Sequence, residues 1–168
     1  EMKVVCSLTP AQARLYQSTA KELKKELAST NGMQRKGLVL SYLMRFKQIC
    51  NHPDQVAHAG NFEASRSAKF QRLIELCEEV SSRGEKVLVF TQFREMTGHL
   101  EELLAKVFGR PGLVLHGGTP VKERSKKVDR FQSDAGPPYF VLSLKAGGTG
   151  LNLTAANHVI HFDRWWNP

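Results

Sequence analysis

Apolar side chains recur at helical spacing through the first third of the chain. Between residues 16 and 27 they stand three or four positions apart, behind a Thr-Pro pair at 9–10 that supplies an N-cap and a first-turn proline. Between residues 40 and 49 they recur every third position. A Thr-Asn-Gly break at 30–32 and an Asn-His-Pro sequence at 51–53 end the two segments. The pattern therefore predicts two amphipathic helices.

A different pattern begins near residue 65, where short apolar runs alternate with helical segments. Nearly continuous apolar runs of this length are typical of strands buried on both faces of a parallel sheet. Right-handed helical crossovers join such strands. We therefore predict an α/β fold of three layers, with a parallel sheet between helices. The predicted strands are 86–90, 113–116, 139–143 and 158–162, and the predicted helices are 70–80, 96–107 and 121–131.

The boundary between the two patterns is predicted from a polar stretch. Residues 54–64 contain few large apolar side chains and include Gly60 and Asn61, which is typical of a surface connection. A helical appendage then occupies residues 1–63, and the α/β domain occupies residues 64–168. Because no closing helix follows the last predicted strand, we expect a domain that is truncated at its carboxy end and a chain that is part of a longer protein.

Composition narrows the classes of partner. The chain has 24 Lys and Arg against 16 Asp and Glu, a net charge of +8, which suits a polyanion such as nucleic acid but also serves solubility alone. Its longest apolar runs are a few residues, against the roughly 20 that a membrane helix needs. The amino terminus shows neither a signal nor a transit pattern. We expect an intracellular protein with no membrane partner.

Cysteine and histidine give no sign of a metal site. Cys6, Cys50 and Cys77 are odd in number and widely spaced, which predicts reduced, structural thiols rather than disulfides or a zinc ribbon. His158 and His161 are three residues apart on a predicted strand, so their side chains point to opposite faces. We predict no metal site in this chain.

The predicted sheet places three loops where ligands bind in open parallel sheets, at the carboxyl ends of strands. They are residues 91–93, 117–119 and 143–153, of which the last two are rich in glycine, whose backbone can approach a phosphate closely. The sequence contains no G-x-x-x-x-G-K-[ST] phosphate loop and no strand that ends in Asp-Glu, although VIHFD at 159–163 superficially resembles one. ATP hydrolysis by this chain alone is therefore not expected, and no catalytic residue is assigned.

Several ordered motifs resemble the carboxy-terminal half of Swi/Snf-type ATPases, which belong to helicase superfamily two. The resemblance covers nearly the whole chain and departs from the family at Ala68, where glycine is usual. It rests on LTPAQ at 8–12, QICNHP at 48–53, SAKF at 67–70, VLVFTQF at 87–93, HGGT at 116–119, SLKAGGTGLNL at 143–153 and DRWWNP at 163–168. The resemblance implies that the α/β domain is the second RecA-like lobe of a DNA-translocating motor.

The resemblance also implies roles for particular residues. Gly150, Leu151 and Asn152 are expected near ATP, and Ser143 and Lys145 nearer the DNA backbone. Trp166 matches a tryptophan that contacts DNA, although a buried core tryptophan is the alternative. Gln92, His116, Gly117, Gly118 and Thr119 are expected on the face that tracks DNA, with simple strand-end turns as the alternative.

A complete motor of this kind has two lobes. The resemblance implies that a first lobe in the same polypeptide carries the phosphate loop and the Asp-Glu box, and that ATP binds with magnesium between the lobes. Double-stranded DNA is the implied partner, held mainly through its backbone. The family's Gln-x-x-x-Arg-x-x-Arg segment follows soon after Asn-Pro, beyond residue 168, and Arg164 stands in the wrong motif to replace its arginines. The chain alone is therefore expected to be inactive.

Two other interpretations stay open. A DNA-binding or protein-docking module without a motor role would use the helical appendage at 10–50 as its surface. A self-contained nucleotide-binding enzyme would use residues 145–152 as a dinucleotide fingerprint, but that loop lacks the required glycine spacing and an acidic partner about 20 residues further on.

Overall fold

The computed structural model describes residues 1–58, 60–147 and 150–165. Their contacts divide the chain into two compact units, residues 1–72 and residues 73–168. No helix among these residues is long and apolar enough to cross a membrane. The elements are α1 (Pro10–Ser29), α2 (Gly32–Asn51), α3 (Pro53–Ala57), a 3-10 turn (Ala64–Arg66), α4 (Ala68–Ser82), β1 (Val87–Thr91), α5 (Met96–Phe108), β2 (Leu113–Leu115), α6 (Val121–Gln132), β3 (Tyr139–Ser143), α7 (Leu144–Gly147) and β4 (His158–His161).

Both helices predicted in the first third are present as α1 and α2. The Thr9 side chain accepts a hydrogen bond from the Gln12 backbone N–H at 3.3 Å, and the Gln12 side chain accepts one from the Thr9 N–H at 3.1 Å. This reciprocal pair is a capping box, which satisfies donors that the first turn leaves unpaired. The predicted N-cap is therefore confirmed.

The prediction of a surface connection at 54–64 is wrong for its first residues. Residues 54–57 belong to α3, in which Asp54 and Gln55 are buried. Asp54 Oδ2 accepts from the Phe62 N–H at 3.0 Å, and its Oδ1 pairs with Arg66. The buried carboxylate of Asp54 thus holds this polar stretch in place. The sequence pattern did not indicate this packing, because the stretch lacks the apolar side chains whose spacing marks a buried element.

Unit 1–72 is held largely by polar groups. Gln12 Nε2 donates to the carbonyls of Ile49 at 2.9 Å and Cys50 at 3.1 Å, while Gln12 Oε1 also accepts from the Ala68 N–H at 3.3 Å. His52 is fully buried, with Nδ1 accepting from the Asp54 N–H and Nε2 near the Glu63 carbonyl. Side chains therefore satisfy the backbone groups that the helix ends leave free.

Unit 73–168 is built on a parallel sheet in the order β2-β3-β1-β4. The four predicted strands and the two predicted helices between them, α5 and α6, are confirmed, and α4, which enters this unit at Leu73, matches the predicted helix 70–80. All five residues of β3 are buried, as expected for a strand between neighbours on both sides. The short helix α7 was not predicted, because its four residues provide too little periodicity to recognise.

Helices cover both faces of this sheet. The Tyr139 ring packs 5.1 Å from Phe108 of α5, whereas the next residue, Phe140, packs 5.5 Å from Phe131 of α6. Because consecutive residues of a strand point to opposite faces, α5 and α6 lie on opposite sides. The predicted three-layer α/β architecture is confirmed.

The two histidines of β4 have different neighbours. His158 Nε2 lies 2.5 Å from Glu85 Oε2, and His161 stacks on Phe90 with ring centroids 5.4 Å apart. Cys6, Cys50 and Cys77 are free thiols, and burial raises the pKa of Cys77 to about 12. Within residues 1–58, 60–147 and 150–165 no group of three metal-ligating side chains is found.

Candidate functional site

The strand order brings the predicted loops to one edge of the sheet. Thr91 at the end of β1 pairs in register with Ser143 at the end of β3, and β2 and β4 flank these two strands. In a parallel sheet all carboxyl ends meet at the same edge. The loops after β1, β2 and β3 are therefore neighbours, as the sequence predicts, and the chain after β4 joins them.

The loop after β2 is a closed turn. The Thr119 N–H donates to the His116 carbonyl at 2.9 Å, and the Thr119 side chain accepts from the His116 N–H at 3.1 Å. His116 Nδ1 accepts from the Gly118 N–H at 3.1 Å. Thr119 is buried, so it shapes the turn, whereas Gly117 and Gly118 are exposed at its tip.

Two arginines from outside this turn lie next to it. Arg124 of α6 donates from Nε to the Thr119 carbonyl at 3.0 Å and from Nη2 to the Gly117 carbonyl at 3.3 Å. Arg94, in the loop after β1, lies so close that a Cβ on Gly118 would stand 2.9 Å from its Nη2. The turn tip therefore carries a concentration of positive charge.

Arg94 was not among the predicted site residues. It follows the strand-end motif VLVFTQF directly, so its position next to a candidate loop was visible in the sequence. Its proximity to Gly118 was not, because 24 positions separate the two residues in the chain and only the order of the strands brings them together.

The loop after β1 is held by the chain beyond β4. Asp163 is buried, and its Oδ2 accepts from the Thr91 hydroxyl at 2.6 Å while its Oδ1 accepts from the Gln92 N–H at 2.7 Å. The Phe93 N–H donates in turn to the Thr91 hydroxyl at 3.2 Å. One carboxylate thus orders the backbone of the turn that carries Gln92.

Asp163 ends the sequence VIHFD at 159–163, which superficially resembles a magnesium-binding strand. Both oxygens of Asp163 accept hydrogen bonds from the neighbouring loop. The residue therefore organises the loop after β1.

The loop after β3 combines buried and exposed members. Ser143 is buried, while Lys145 on α7 is exposed. Gly150 has a φ of 68°, in the left-handed region that favours glycine, and it is exposed together with Asn152. Leu151, between them, packs against the sheet core beside Leu153. The apolar side chain thus anchors the loop and leaves its two neighbours at the surface.

One predicted site residue, Trp166, lies outside the described residues. Its neighbour Trp165 is 48% exposed and follows Asp163 by two positions. The described residues therefore bring together Gln92, His116, Gly117, Gly118, Thr119, Ser143, Lys145, Gly150, Leu151 and Asn152 at one edge of the sheet. Their proposed contacts with ATP or DNA remain predictions.

Comparison with known proteins places the chain in a family. The model of the helicase conserved C-terminal domain matches residues 68–168. The C-terminal domain of a SWI2/SNF2 ATPase from Sulfolobus solfataricus is 39% identical, with a TM-score of 0.91 over 99% of this chain and 73% of that one. The chain is a helicase C-terminal domain of the Swi/Snf type. The RecA-like fold expected for this Swi/Snf lobe is thereby confirmed.

Two further relatives describe the context of the Swi/Snf lobe. A putative ATP-dependent helicase/translocase from Bacillus subtilis, YwqA, is 46% identical over 100% of this chain and 18% of its own length. The Sulfolobus solfataricus SWI2/SNF2 ATPase core in complex with double-stranded DNA has a TM-score of 0.92 and 38% identity, over 99% of this chain and 35% of that one. The Swi/Snf lobe spans about a quarter or less of the length of the curated relatives that it matches.

Proposed function

We propose that this chain is the second motor lobe of an ATP-dependent translocase that moves along double-stranded DNA. The observation that carries the proposal is its close match to the SWI2/SNF2 ATPase core whose structure contains DNA. The edge of the sheet at which the loops after β1, β2 and β3 meet, the strand-end edge, adds a chemical reason. It presents cationic side chains and exposed glycines where ligands bind in open parallel sheets.

On the DNA side, the contacts would go to phosphates. Because His116 Nδ1 accepts a hydrogen bond from Gly118, its ring proton lies on Nε2, which is then a donor for a phosphate oxygen. Arg94 and Lys145 are exposed at the same edge. Phosphate contacts position a protein on a duplex without reading its sequence, as a translocating motor requires.

On the nucleotide side, Gly150, Leu151 and Asn152 would line one flank of ATP. The left-handed Gly150 exposes backbone, Asn152 offers an exposed amide, and Leu151 anchors the pair to the core. These groups suit ribose and phosphate oxygens rather than Mg²⁺, so the magnesium ligands are assigned to the first lobe. Hydrolysis of bound ATP would supply the free energy that opens and closes the two lobes.

The test is ATP hydrolysis by the full-length protein with and without duplex DNA. We expect duplex DNA to stimulate hydrolysis, and the concentration for half-maximal stimulation to rise steeply with salt, because phosphate contacts release counterions. Arg94→Ala should raise that concentration severalfold with little change in the maximal rate. Arg83→Ala, an exposed arginine before β1 at the opposite edge, is the matched control.

The nucleotide assignment has its own variant. Gly150→Ala forces a side chain into a left-handed backbone conformation, and it should raise the KM for ATP or lower the maximal rate without altering the DNA concentration needed. A wild-type protein that hydrolyses no ATP with duplex DNA present would refute the motor proposal. The docking module without a motor role would then be the better account.

A further inference from the structure

The helical hairpin formed by α1 and α2 holds most of the chain's excess positive charge. Residues 10–51 contain eight basic side chains and two acidic ones, a net charge of +6 against +8 for all 168 residues. The basic residues are Arg14, Lys21, Lys24, Lys25, Arg35, Lys36, Arg45 and Lys47. The sheet unit of the motor lobe therefore has little net charge by comparison.

Both acidic residues of the hairpin are paired within it. Glu22 forms a salt bridge with Arg45 at 2.9 Å, and Glu26 accepts a hydrogen bond from the Tyr42 hydroxyl at 2.7 Å. That hydrogen bond is the main cause of the raised pKa of Tyr42. The acidic groups thus join α1 to α2.

Five cations cluster toward the turn between the two helices. No carboxylate in the described part of the chain lies within ion-pair distance of them. All are exposed. They are Lys21, Lys24, Lys25, Arg35 and Lys36.

A groove of about 500 Å³ lies among these cations. Its apolar wall consists of Ala20, Leu23, Leu27 and Ala28, and Lys24, Asn31 and Arg35 complete the lining. The α1 members of the lining run from Ala20 to Ala28 at three- and four-residue spacing, so the groove follows α1 for about 12 Å at 1.5 Å per residue. The small side chains of its two alanines leave room for a further helix, in addition to α2, to approach.

We propose that this groove binds an acidic amphipathic α-helix of a protein partner. An apolar wall about two helical turns long, bordered by cations, matches a helix whose apolar side chains face the groove and whose carboxylates face Lys24 and Arg35. DNA is the less suitable occupant, because a phosphate backbone pairs with the cations and gains nothing from Leu23 and Leu27. The groove is formed by residues of unit 1–72 alone, and this proposal does not depend on the motor function.

The experiment measures binding of a fluorescent synthetic peptide to the full-length protein. The peptide is a four-turn helix with leucine at i, i+3, i+7 and i+10 and mainly glutamate elsewhere. A scrambled peptide of the same composition tests the apolar pattern, and a duplex DNA of similar charge tests the alternative occupant. We expect the patterned peptide to bind about tenfold more tightly than the scrambled one.

Two variants separate the groove from general charge attraction. Ala28→Arg adds positive charge but fills the groove, so it should weaken binding, whereas attraction by charge alone would strengthen it. Lys24→Glu with Arg35→Glu should weaken binding about tenfold or more. The matched control is Arg83→Glu with Lys106→Glu, which makes the same change in net charge at two exposed positions outside the hairpin.

The outcomes are distinct. Tighter peptide binding by Ala28→Arg than by the wild type would overturn the proposal. Equal affinity for the patterned and scrambled peptides would also overturn it, as would weaker binding in the Arg83 and Lys106 control variant but not in the Lys24 and Arg35 variant. Binding of duplex DNA alone, lost in the Lys24 and Arg35 double variant, would identify the hairpin as a DNA contact instead. If the charge reversals lower the Tm, Lys24→Gln with Arg35→Gln provides the same test with a milder change. None of these readouts requires ATP hydrolysis, so they stand even where the motor proposal fails.

Discussion

Residues 1–72 bury seven polar side chains and three large apolar ones, whereas residues 73–168 bury five polar and twenty apolar side chains among the described residues. The first unit is a pair of helices whose ends are joined through side-chain hydrogen bonds. The second is a sheet whose strands are covered on both faces. The difference teaches that one chain uses two sources of stability, directional hydrogen bonds in one unit and removal of apolar surface from water in the other.

The largest effect should come from the sheet core. Phe140 is fully buried and packs on Phe131, so Phe140→Ala should lower the free energy of unfolding by about 3–5 kcal/mol. Denaturant unfolding followed by circular dichroism measures this change. Val159→Ala, at an exposed position of β4, is the control and should have little effect. A loss below about 1 kcal/mol for Phe140→Ala would show that the sheet core does not dominate this unit.

The next effect tests the polar unit. Gln12→Leu keeps the size of the side chain but leaves the Ile49 and Cys50 carbonyls without their donor, which should cost about 3 kcal/mol. Gln17→Leu, at an exposed position of the same helix, should be nearly neutral and is the control. If both variants unfold at the same denaturant concentration as the wild type, hydrogen bonding is not what holds residues 1–72 together.

A third variant probes the polar contact within the apolar unit. Thr91→Val removes the hydroxyl that donates to Asp163 and should cost about 2 kcal/mol, because a buried carboxylate loses a donor. It should also speed hydrogen exchange at the Gln92 and Phe93 amides and raise the DNA concentration for half-maximal ATPase stimulation. Thr91→Ser keeps the hydroxyl and should restore both. Unchanged exchange in Thr91→Val would refute the ordering role of Asp163.

The smallest effect is a dependence on pH. Burial raises the pKa of Cys77 from 9.0 to about 12, so above pH 9 the unfolded chain loses a proton that the folded chain keeps. Stability from this group is therefore complete below pH 9 and is lost as the pH rises toward 12, by about 1.4 kcal/mol at pH 10. Unfolding at pH 8 and pH 10 measures the loss, and Cys77→Ala should reduce it. Equal pH dependence in the variant would contradict this assignment.

The same comparison explains which elements the sequence predicts. The strands and helices of residues 73–168 can be predicted from apolar periodicity. This unit is stabilised by burial of apolar side chains, and the side chains that face the core recur at regular spacing in the sequence. Helices α1 and α2 also show it. The short helix α3 does not, since Asp54 is held by Phe62 and Arg66 and a buried carboxylate resembles a surface residue in the sequence.

The candidate site divides in a similar way. Its loops and most of its residues were predictable, because strand ends and glycines are local features and because the motifs resemble a known family. The roles of Arg94 and Asp163 were not. Asp163 pairs with Thr91 across 72 positions of the chain, and Arg94 approaches Gly118 only because the loops after β1 and β2 meet at one edge of the sheet.

By itself, the sequence determined the α/β class, the order of helices and strands, the capping box at Thr9 and the loops in which ligands would bind. Each of these depends on neighbours within a few turns or on alternation along one strand, and short-range geometry records such features directly. Only the tertiary structure decided the strand order, the buried Gln12 and Asp163 contacts and the cationic groove on α1. These depend on which distant segments pack together, and that is set by the energy of the whole fold.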